Sequence, residues 1–328
     1  MLSILEVMRL EKKISIMIPC YNEERNVRAM AETIIKIMES VSYDYEIVFT
    51  DNDSKDNTKK ILRELAAENS RIKVLINNRN YGTGGRSSRN TMRYLSGDII
   101  MYLPCDFQEP PELIPKFIKY WEDGYKVVYG QKTGSKEGKI KFFLRSLFYK
   151  IINTLSEVPQ YENMSGLFLI DREVYDEFEK TDEDLILRYA LADMGYKIKL
   201  VQYVQEERRG GEKSRFSLGG YLSFVMNSMV NTSTGPLRVM TIIGFGMSLV
   251  SFLIGLVYLI MKLTLWYRFQ TGMAPILIGM FFLGSIQLLF MGVLGEYIGA
   301  VLRKVSKRPD IILSEKINFE ESNKEDEV

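Results

Sequence analysis

The chain has 328 residues, enough for two ordinary domains or for one domain plus membrane segments. A net charge of +1 argues against a nucleic-acid partner held by bulk electrostatics, and the absence of histidine excludes Ser-His triads, His-ligated metals and an imidazole base. Only two cysteines are present, Cys20 and Cys105, which excludes a disulfide framework and a thiolate zinc site and fits a reducing compartment. A bound metal must then take oxygen ligands, which points to Mg2+ or Mn2+.

The opening stretch, "MLSILEVMRLEKK", lacks a basic n-region and a small-residue cleavage site, so it reads as a cytosolic lead-in with a short helix. Strand and helix signals then alternate. "KISIMIPCY" reads as a strand, "NVRAMAETIIKIMESV" as a helix at 3.6 spacing, and "YEIVFTDND" as a second strand. "NTKKILRELAAEN" is the next helix, "IKVLIN" the next strand, "GGRSSRNTMRYL" a helix, and "DIIMYLPCD" another strand. This alternation predicts a parallel sheet with helices on both faces. Ligands of such sheets bind beyond the carboxyl ends of the strands. Three polar clusters, "CYNEE", "TDNDS" and "PCDFQ", fall at those ends.

In the first cluster Pro19 is expected to stop ladder pairing. Tyr21 and Glu23 can face a nucleoside, or Asn22 or Glu23 can cap the following helix. In the second, Ser54, Asp56 and Asn57 suit an N-terminal cap. The glycine-rich "NRNYGTGGRSSRN" can bring backbone N–H groups near phosphates at a helix start, and it lacks the lysine-serine pattern of an ATPase loop. Arg86 and Arg89 are either part of that site or solvated helix residues. In the third, "LPCDFQEPPE" offers Asp106, Gln108 and Glu109, and Pro110 and Pro111 start the helix "ELIPKFIKYW".

Hydropathy changes sharply after about residue 235. Val239 to Met261 is an uncharged apolar run of about 23 residues, longer than the ~20 that span a bilayer, and a second run goes from Phe269 to Gly295. The connector "KLTLWYRF" is short, so the two spans form a hairpin with Trp266 and Tyr267 suited to an interface. The following "RKVSKRP" is basic, which keeps it in the cytoplasm, and two spans put the N-terminal domain there too. "GGYLSFVMNSMVNTST" is amphipathic and suits the membrane interface. "EESNKEDEV" reads as an acidic, disordered tail.

The motifs "IPCYNEE", "DNDSKDNT", "DFQEPPE", "LIDREV", "TSTGPLR" and "GEYIGAVLRKVSKRP" together resemble family 2 glycosyltransferases of the polyprenyl-phosphate sugar transferase type, such as dolichol-phosphate mannose synthases and bactoprenol glucosyltransferases. The resemblance covers nearly the whole chain. It implies an α/β nucleotide-diphospho-sugar transferase domain (GT-A, Rossmann-like) followed by a two-helix transmembrane hairpin. The expected division is a cytoplasmic catalytic domain at 1–215, an interfacial helix at 216–236, spans at 237–262 and 269–298, and a basic then acidic tail at 299–328.

The resemblance further implies a hexosyltransferase with a UDP-sugar donor and a polyprenyl (undecaprenyl) phosphate acceptor, working at the cytoplasmic membrane face in one inverting displacement. Its product would be lipid-linked sugar for the cell envelope. Pro19, Tyr21, Glu23, Asp51, Asp106 and Ser214 would bind the nucleotide-sugar, with Asp51 on uracil. Asp106 and Gln108 would hold the metal. Asp106, Arg209 and Arg215 would be catalytic, the two arginines over the departing diphosphate. In "GKIKFFLRSLFYK", which alternates cations with aromatics, Lys132, just upstream, Arg145 and Ser146 are the residues expected to hold the lipid phosphate. Tetrameric relatives imply a homo-oligomer.

Two positions depart from the family pattern. Relatives read aspartate-x-aspartate-x-glutamine before the prolines, and the first aspartate is Pro104 here. Where many read Gly-Asp-Phe-Arg, this chain has Ser165, Gly166, Leu167 and Phe168, so an acidic residue near the acceptor is missing. A phosphate monoester has a second pKa of about 6 and is an anionic nucleophile at neutral pH, so no general base is required. An alcohol acceptor would need one. Asp182, Glu183 and Asp184 keep a hydroxyl acceptor open as an alternative, or they are acids at a helix start that suit its dipole. A non-catalytic binding or assembly role is the remaining rival.

Overall fold

A computed structural model of the chain describes residues 12–82, 85–133, 161, 163–181, 187–206, 235–264, 273–305 and 310–320. The lead-in at 1–11, the expected interfacial helix up to residue 234 and the last eight residues lie outside these. The chain divides into two compact units, one built on a sheet and one holding two long helices.

The sheet unit follows the predicted alternation. Strand β1 (Lys13–Cys20) leads to α1 (Val27–Met38), β2 (Asp44–Asp51), α2 (Thr58–Glu68), β3 (Ile72–Asn77), α3 (Gly85–Met92) and β4 (Ile99–Tyr102). A 3-10 turn at Pro111–Leu113 opens α4 (Ile114–Glu122), as the two prolines predict. Then come β5 (Val127–Lys132), β6 (Met164–Asp171), α5 (Arg172–Glu179), α6 (Leu187–Asp193) and β7 (Ile198–Tyr203).

Helix α1 forms because Val27, Met30, Ala31, Ile34 and Met38 recur at helical spacing and bury one stripe. The strands bury both faces, so they read as nearly continuous apolar runs. Ile16, Ile18, Ile47, Phe49 and Val74 pack on one side with α1, α2 and α4. Met17, Val48, Leu75 and Ile100 pack on the other with α3, α5 and α6.

Among the described residues eight strands, the last being β8 (Leu313–Ile317), lie in the order β7-β5-β6-β4-β1-β2-β3-β8. Strands β4, β1, β2 and β3 are mutually parallel, and β6 is antiparallel to β4 and β5. The order reverses between β1 and β4, and crevices at such reversals are where ligands bind.

Pro19 acts on one side only, which corrects the sequence expectation. Pairing of β1 with β2 continues past it to Cys20 opposite Asp51, and the Asn52 N–H donates to Cys20 O at 2.9 Å. On the β4 side the last rung is Leu103 N–H to Met17 O at 3.0 Å, and the next would need the N–H that proline lacks. The sheet therefore parts between β1 and β4 at its carboxyl edge, at the reversal of strand order.

The second unit holds α7 (Gly235–Thr264) and α8 (Met273–Val305). Leu237–Val257 and Phe282–Leu302 are long and apolar enough to cross a membrane, with mean hydropathies of 2.2 and 1.6. Large side chains such as Phe245, Phe252, Leu288 and Leu289 are exposed, as on helices surrounded by lipid. Gly244 lies against Phe290, whose ring carbon would sit 3.5 Å from an added Cβ.

The expected tail at 299–328 is replaced in part by regular structure. Helix α8 runs on to Val305, and β8 (Leu313–Ile317) joins the sheet antiparallel to β3. The physical reason is a free edge: β3 would otherwise present unpaired N–H and C=O groups. Ile317 opposite Val74 and Phe319 over the Lys73 ammonium give β8 apolar cover, and Arg63 binds Glu315 through two nitrogens at 3.0 and 2.7 Å.

Candidate active site

Three loops meet the carboxyl edge where β1 and β4 part: 21–26 after β1, 52–57 after β2 and 103–110 after β4. Each carries a non-glycine residue in the left-handed region, namely Asn22 (φ 56°), Asp53 (φ 61°) and Phe107 (φ 58°). Such backbone is uncommon for asparagine and aspartate and a genuine outlier for phenylalanine, and it gathers at functional sites.

The first two loops are stitched by side chain–backbone hydrogen bonds. Asn22 N donates to Ser54 Oγ at 2.8 Å, Lys55 N to Asn22 Oδ1 at 2.8 Å, and Glu23 N to Thr58 Oγ1 at 2.8 Å. Asn57 N donates to Glu24 Oε2 at 3.0 Å. This corrects the capping expectation for Ser54 and Asn57. Asn57 occupies the N-cap of α2 without a side-chain capping bond, and the orphan N–H of Thr58 goes to Asp56 Oδ1 at 3.0 Å. Ser54 and Asn57 serve the neighbouring loop because it offers its own unpaired N–H and carboxylate groups.

Asp51 ends β2 with its side chain fully buried. Its Oδ1 accepts from Ser54 N at 2.9 Å, and its Oδ2 has no partner among the described residues. Burial raises its pKa, and the bonds from Ser54 only partly offset this. A buried acceptor of this kind is costly unless something donates to it. Glu23 is also buried, and Asn26 Nδ2 donates to its Oε2 at 2.6 Å, so its carboxylate stabilises the start of α1. Tyr21 is half-buried, and Pro19 lies just past the last rung between β1 and β4.

Asp106 and Gln108 flank the strained Phe107. Gln108 N donates to Asp106 Oδ1 at 3.2 Å, which folds the turn and leaves both side chains half-buried at the cleft. Two oxygen donors on one turn suit a hard divalent ion that keeps water and substrate oxygens as its other ligands. Among the described residues no three acidic, histidine or cysteine side chains cluster as a self-sufficient metal cage. Glu109 has other partners. It is buried, Tyr203 Oη donates to its Oε1 at 3.2 Å, and Lys132 Nζ lies 3.8 Å from the same oxygen. Burial raises the Glu109 pKa, with Lys132 the main opposing influence. Lys132 is thus brought to the Asp106 loop through Glu109, a contact that nothing in the sequence signals.

The two departures from the family pattern are neighbours. A Cβ at Gly166 would sit 2.9 Å from Pro104 Cγ, across the β4–β6 pair. Beneath them the rings of Tyr102, Phe168 and Tyr129 stack at centroid spacings of 5.1 Å. Pro104 and Gly166 therefore form one fitted contact on that floor.

Arg89 is buried in α3 and serves structure. Its Nη2 donates to Phe178 O at 2.8 Å, Glu179 O at 3.1 Å and Thr181 O at 2.8 Å, closing the end of α5. Arg209, Ser214, Arg215, Arg145, Ser146 and the acids at 182–184 lie outside the described residues.

A family model described as Glycosyl transferase family 2 matches residues 15–178. The chain belongs to glycosyl transferase family 2. This family 2 enzyme is a glycosyltransferase, and its sheet unit is the mixed α/β domain expected of the GT-A fold. It is 31% identical over 303 residues to the prophage bactoprenol glucosyl transferase homolog of Escherichia coli (strain K12), covering 92% of this chain and 98% of that protein. It is 32% identical to the SfII prophage-derived bactoprenol glucosyl transferase of Shigella flexneri, covering 92% and 97%. Among solved structures, glucosyl-3-phosphoglycerate synthase from Mycobacterium tuberculosis in complex with UDP aligns at TM-score 0.49 and 19% identity, over 69% of this chain and 80% of that one.

Proposed function

We propose that this glycosyltransferase moves glucose from a UDP-sugar to a polyprenyl phosphate at a membrane face. The observation that carries the reading is the extent of the bactoprenol glucosyl transferase matches. They span 92% of this chain, so they take in the apolar helices as well as the sheet.

The donor side rests on Asp51. Its unpartnered, buried Oδ2 is an acceptor, and uracil offers an imide N–H where cytosine offers only another acceptor. Asp106 and Gln108 would hold Mg2+ or Mn2+ over the diphosphate. When bound, that ion supplies positive charge to the diphosphate oxygens. Arg209, Ser214 and Arg215 would add donors as negative charge builds on the departing UDP.

In the transfer, an oxygen of the acceptor phosphate forms the new bond to the sugar's anomeric carbon. The bond from that carbon to the diphosphate breaks, and its electron pair leaves with UDP. The acceptor is already anionic at neutral pH, so the uncharged contact of Pro104 with Gly166 costs the reaction no base. Lys132, with Arg145 and Ser146, would meet the lipid phosphate.

The sheet also bears on sidedness. Strand β8 pairs with β3, and only seven residues separate it from α8. Seven extended residues reach at most about 25 Å, less than the ~30 Å hydrocarbon core. This supports two crossings with the catalytic unit and the C-terminal strand on one side, the cytoplasmic one by the basic residues that follow span two. Self-association through the apolar helices, as in tetrameric relatives, belongs to the same proposal.

The donor reading is tested by calorimetric titration of full-length protein with UDP, CDP and GDP, with Mg2+, with Mn2+ and with chelator. UDP is expected to bind tightest and to need the ion. Equal binding of CDP would overturn the role given to Asp51.

A further inference from the structure

The C-terminal strand touches the loop that borders the donor end of the cleft. Asn52 follows Asp51, and its side chain is engaged at both ends. Its Oδ1 accepts from Tyr81 N at 3.0 Å and from Asn77 Nδ2 at 3.1 Å. Its Nδ2 donates to Asn80 Oδ1 at 3.1 Å and to Gly82 O at 3.0 Å. Gly82 N in turn donates to Asn80 Oδ1 at 2.7 Å, in a turn that Gly82 completes at φ 80°. Asn52 therefore ties the loop 78–82 to the residue beside Asp51.

The far side of the same loop is held by the strand that follows α8. Ile312 N donates to Tyr81 Oη at 3.1 Å, and Asn78 N donates to Ile312 O at 2.9 Å. The Arg79 guanidinium lies 4.3 Å from the centre of the Tyr81 ring. Ile312 is itself fixed because β8 is pinned to the sheet. Ser314 Oγ donates to Ile76 O at 3.1 Å, and Asn318 Nδ2 donates to Ala66 O and Ile72 O at 2.7 and 2.8 Å. The loop is thus secured by the Asn52 and Asn80 amides, the Tyr81 phenol and one backbone bond from Asn78 N to Ile312 O; the side-chain bonds are the ones a single substitution can remove.

We propose that Tyr81 is a positioning residue for the donor: held by the C-terminal strand, it fixes the loop 78–82 against Asn52 and so sets the Asp51 end of the cleft for a nucleoside diphosphate. The inference rests on the donor reading given above. It assigns a function in substrate uptake to a segment that lies beyond both apolar helices.

The test is Tyr81→Phe in the full-length, detergent-solubilised protein, which removes one hydroxyl and keeps the ring. Two measurements are made: amide hydrogen exchange of the peptide covering 78–82, and the kinetic constants with UDP-glucose. Exchange in that peptide is expected to quicken. The KM for donor should rise about three- to tenfold, the loss of roughly one hydrogen bond, with kcat and the acceptor KM unchanged. Lys180→Ala, which removes an exposed ion pair with Glu177 and no bond to the loop or to β8, should leave the donor KM unchanged. Unchanged exchange in Tyr81→Phe overturns the hold on the loop. Faster exchange with an unchanged donor KM, or with a kcat that falls instead, overturns the role in uptake. If the unaltered protein takes up no nucleoside diphosphate, the donor reading fails, and this positioning role fails with it even where exchange quickens.

Discussion

Asp51 combines two demands that oppose each other. Its carboxylate is fully buried and one oxygen has no partner among the described residues, which is costly in the free protein and useful once a donor arrives. Burial raises its pKa in the folded state above the unfolded value. Stability from that shift is fully present below the unfolded pKa and is lost as pH rises through the folded one. At neutral pH the charge is therefore a liability. Asp51→Asn keeps the acceptor for Ser54 N and removes the charge. We expect a higher melting temperature at pH 7, with UDP bound about 10- to 100-fold more weakly, the range for losing one buried acceptor. A variant that is less stable at pH 7, or that binds UDP unchanged, contradicts this assignment. Asp106 differs, because it sits half-buried on the Phe107 turn, where removal leaves the core intact. Asp106→Ala should melt within about 2 °C of the parent and lose on the order of a hundredfold or more in kcat/KM, as expected when charge stabilisation at the diphosphate is removed.

At the scale of elements, the amino end of the sheet is held by a buried charge. Glu46 in β2 accepts from Ser15 Oγ at 2.6 Å and Ser96 N at 2.7 Å, with Lys73 Nζ at 2.8 Å and Lys13 Nζ at 3.2 Å. Burial pushes its pKa up, yet Lys73, Ser15, Ser96 and Lys13 together bring it down to about 2. A depressed carboxylate stabilises above its unfolded pKa, and that stability is lost as pH falls through the folded one. The shift from 4.5 to about 2 is worth about 3 kcal/mol. Glu46→Gln should lower stability at pH 7 by about this amount and flatten the pH dependence of denaturant unfolding between about pH 4.5 and 2. An unchanged slope there would contradict it. Gly97 completes the same corner, where an added Cβ would lie 2.6 Å from Ser15 N and 2.8 Å from Lys13 O. Gly97→Ala is expected to cost about 1–3 kcal/mol in the same assay.

These elements also mark what the sequence carried. The alternation of strands and helices was legible because each core strand is an apolar run and each helix has a 3.6-residue stripe. The acids at the carboxyl ends were legible for the same reason, since they are abrupt polar interruptions. Glu46 was not, because one acid inside "YEIVF" reads as a solvent-facing strand position until Lys73 and Ser96 are brought to it. Strand β8 was not, because "LSEKI" is short and its partner lies more than 230 residues earlier. Lys132 with Glu109, and Gly166 with Pro104, are pairings across strands that no local pattern encodes.

For the whole molecule, the two flanks of the apolar helices are expected on one side of the bilayer. The two natural cysteines are buried, and burial above all, with Cys105 beside it, raises the Cys20 thiol pKa. Both should react slowly, which leaves engineered cysteines readable. Lys55→Cys and Glu320→Cys are expected to label from the same membrane face, and Thr264→Cys at the end of α7 from the opposite face. Labelling of Lys55→Cys and Glu320→Cys from opposite faces would contradict a two-span arrangement. The most direct test of the account as a whole compares two acceptors that differ only at the head group. Purified full-length protein is given radiolabelled UDP-glucose and Mg2+ with either undecaprenyl phosphate or undecaprenol. The account predicts an acid-labile glucolipid from the phosphate and none from the alcohol; product from the alcohol, or none from the phosphate with well-folded protein, would contradict it.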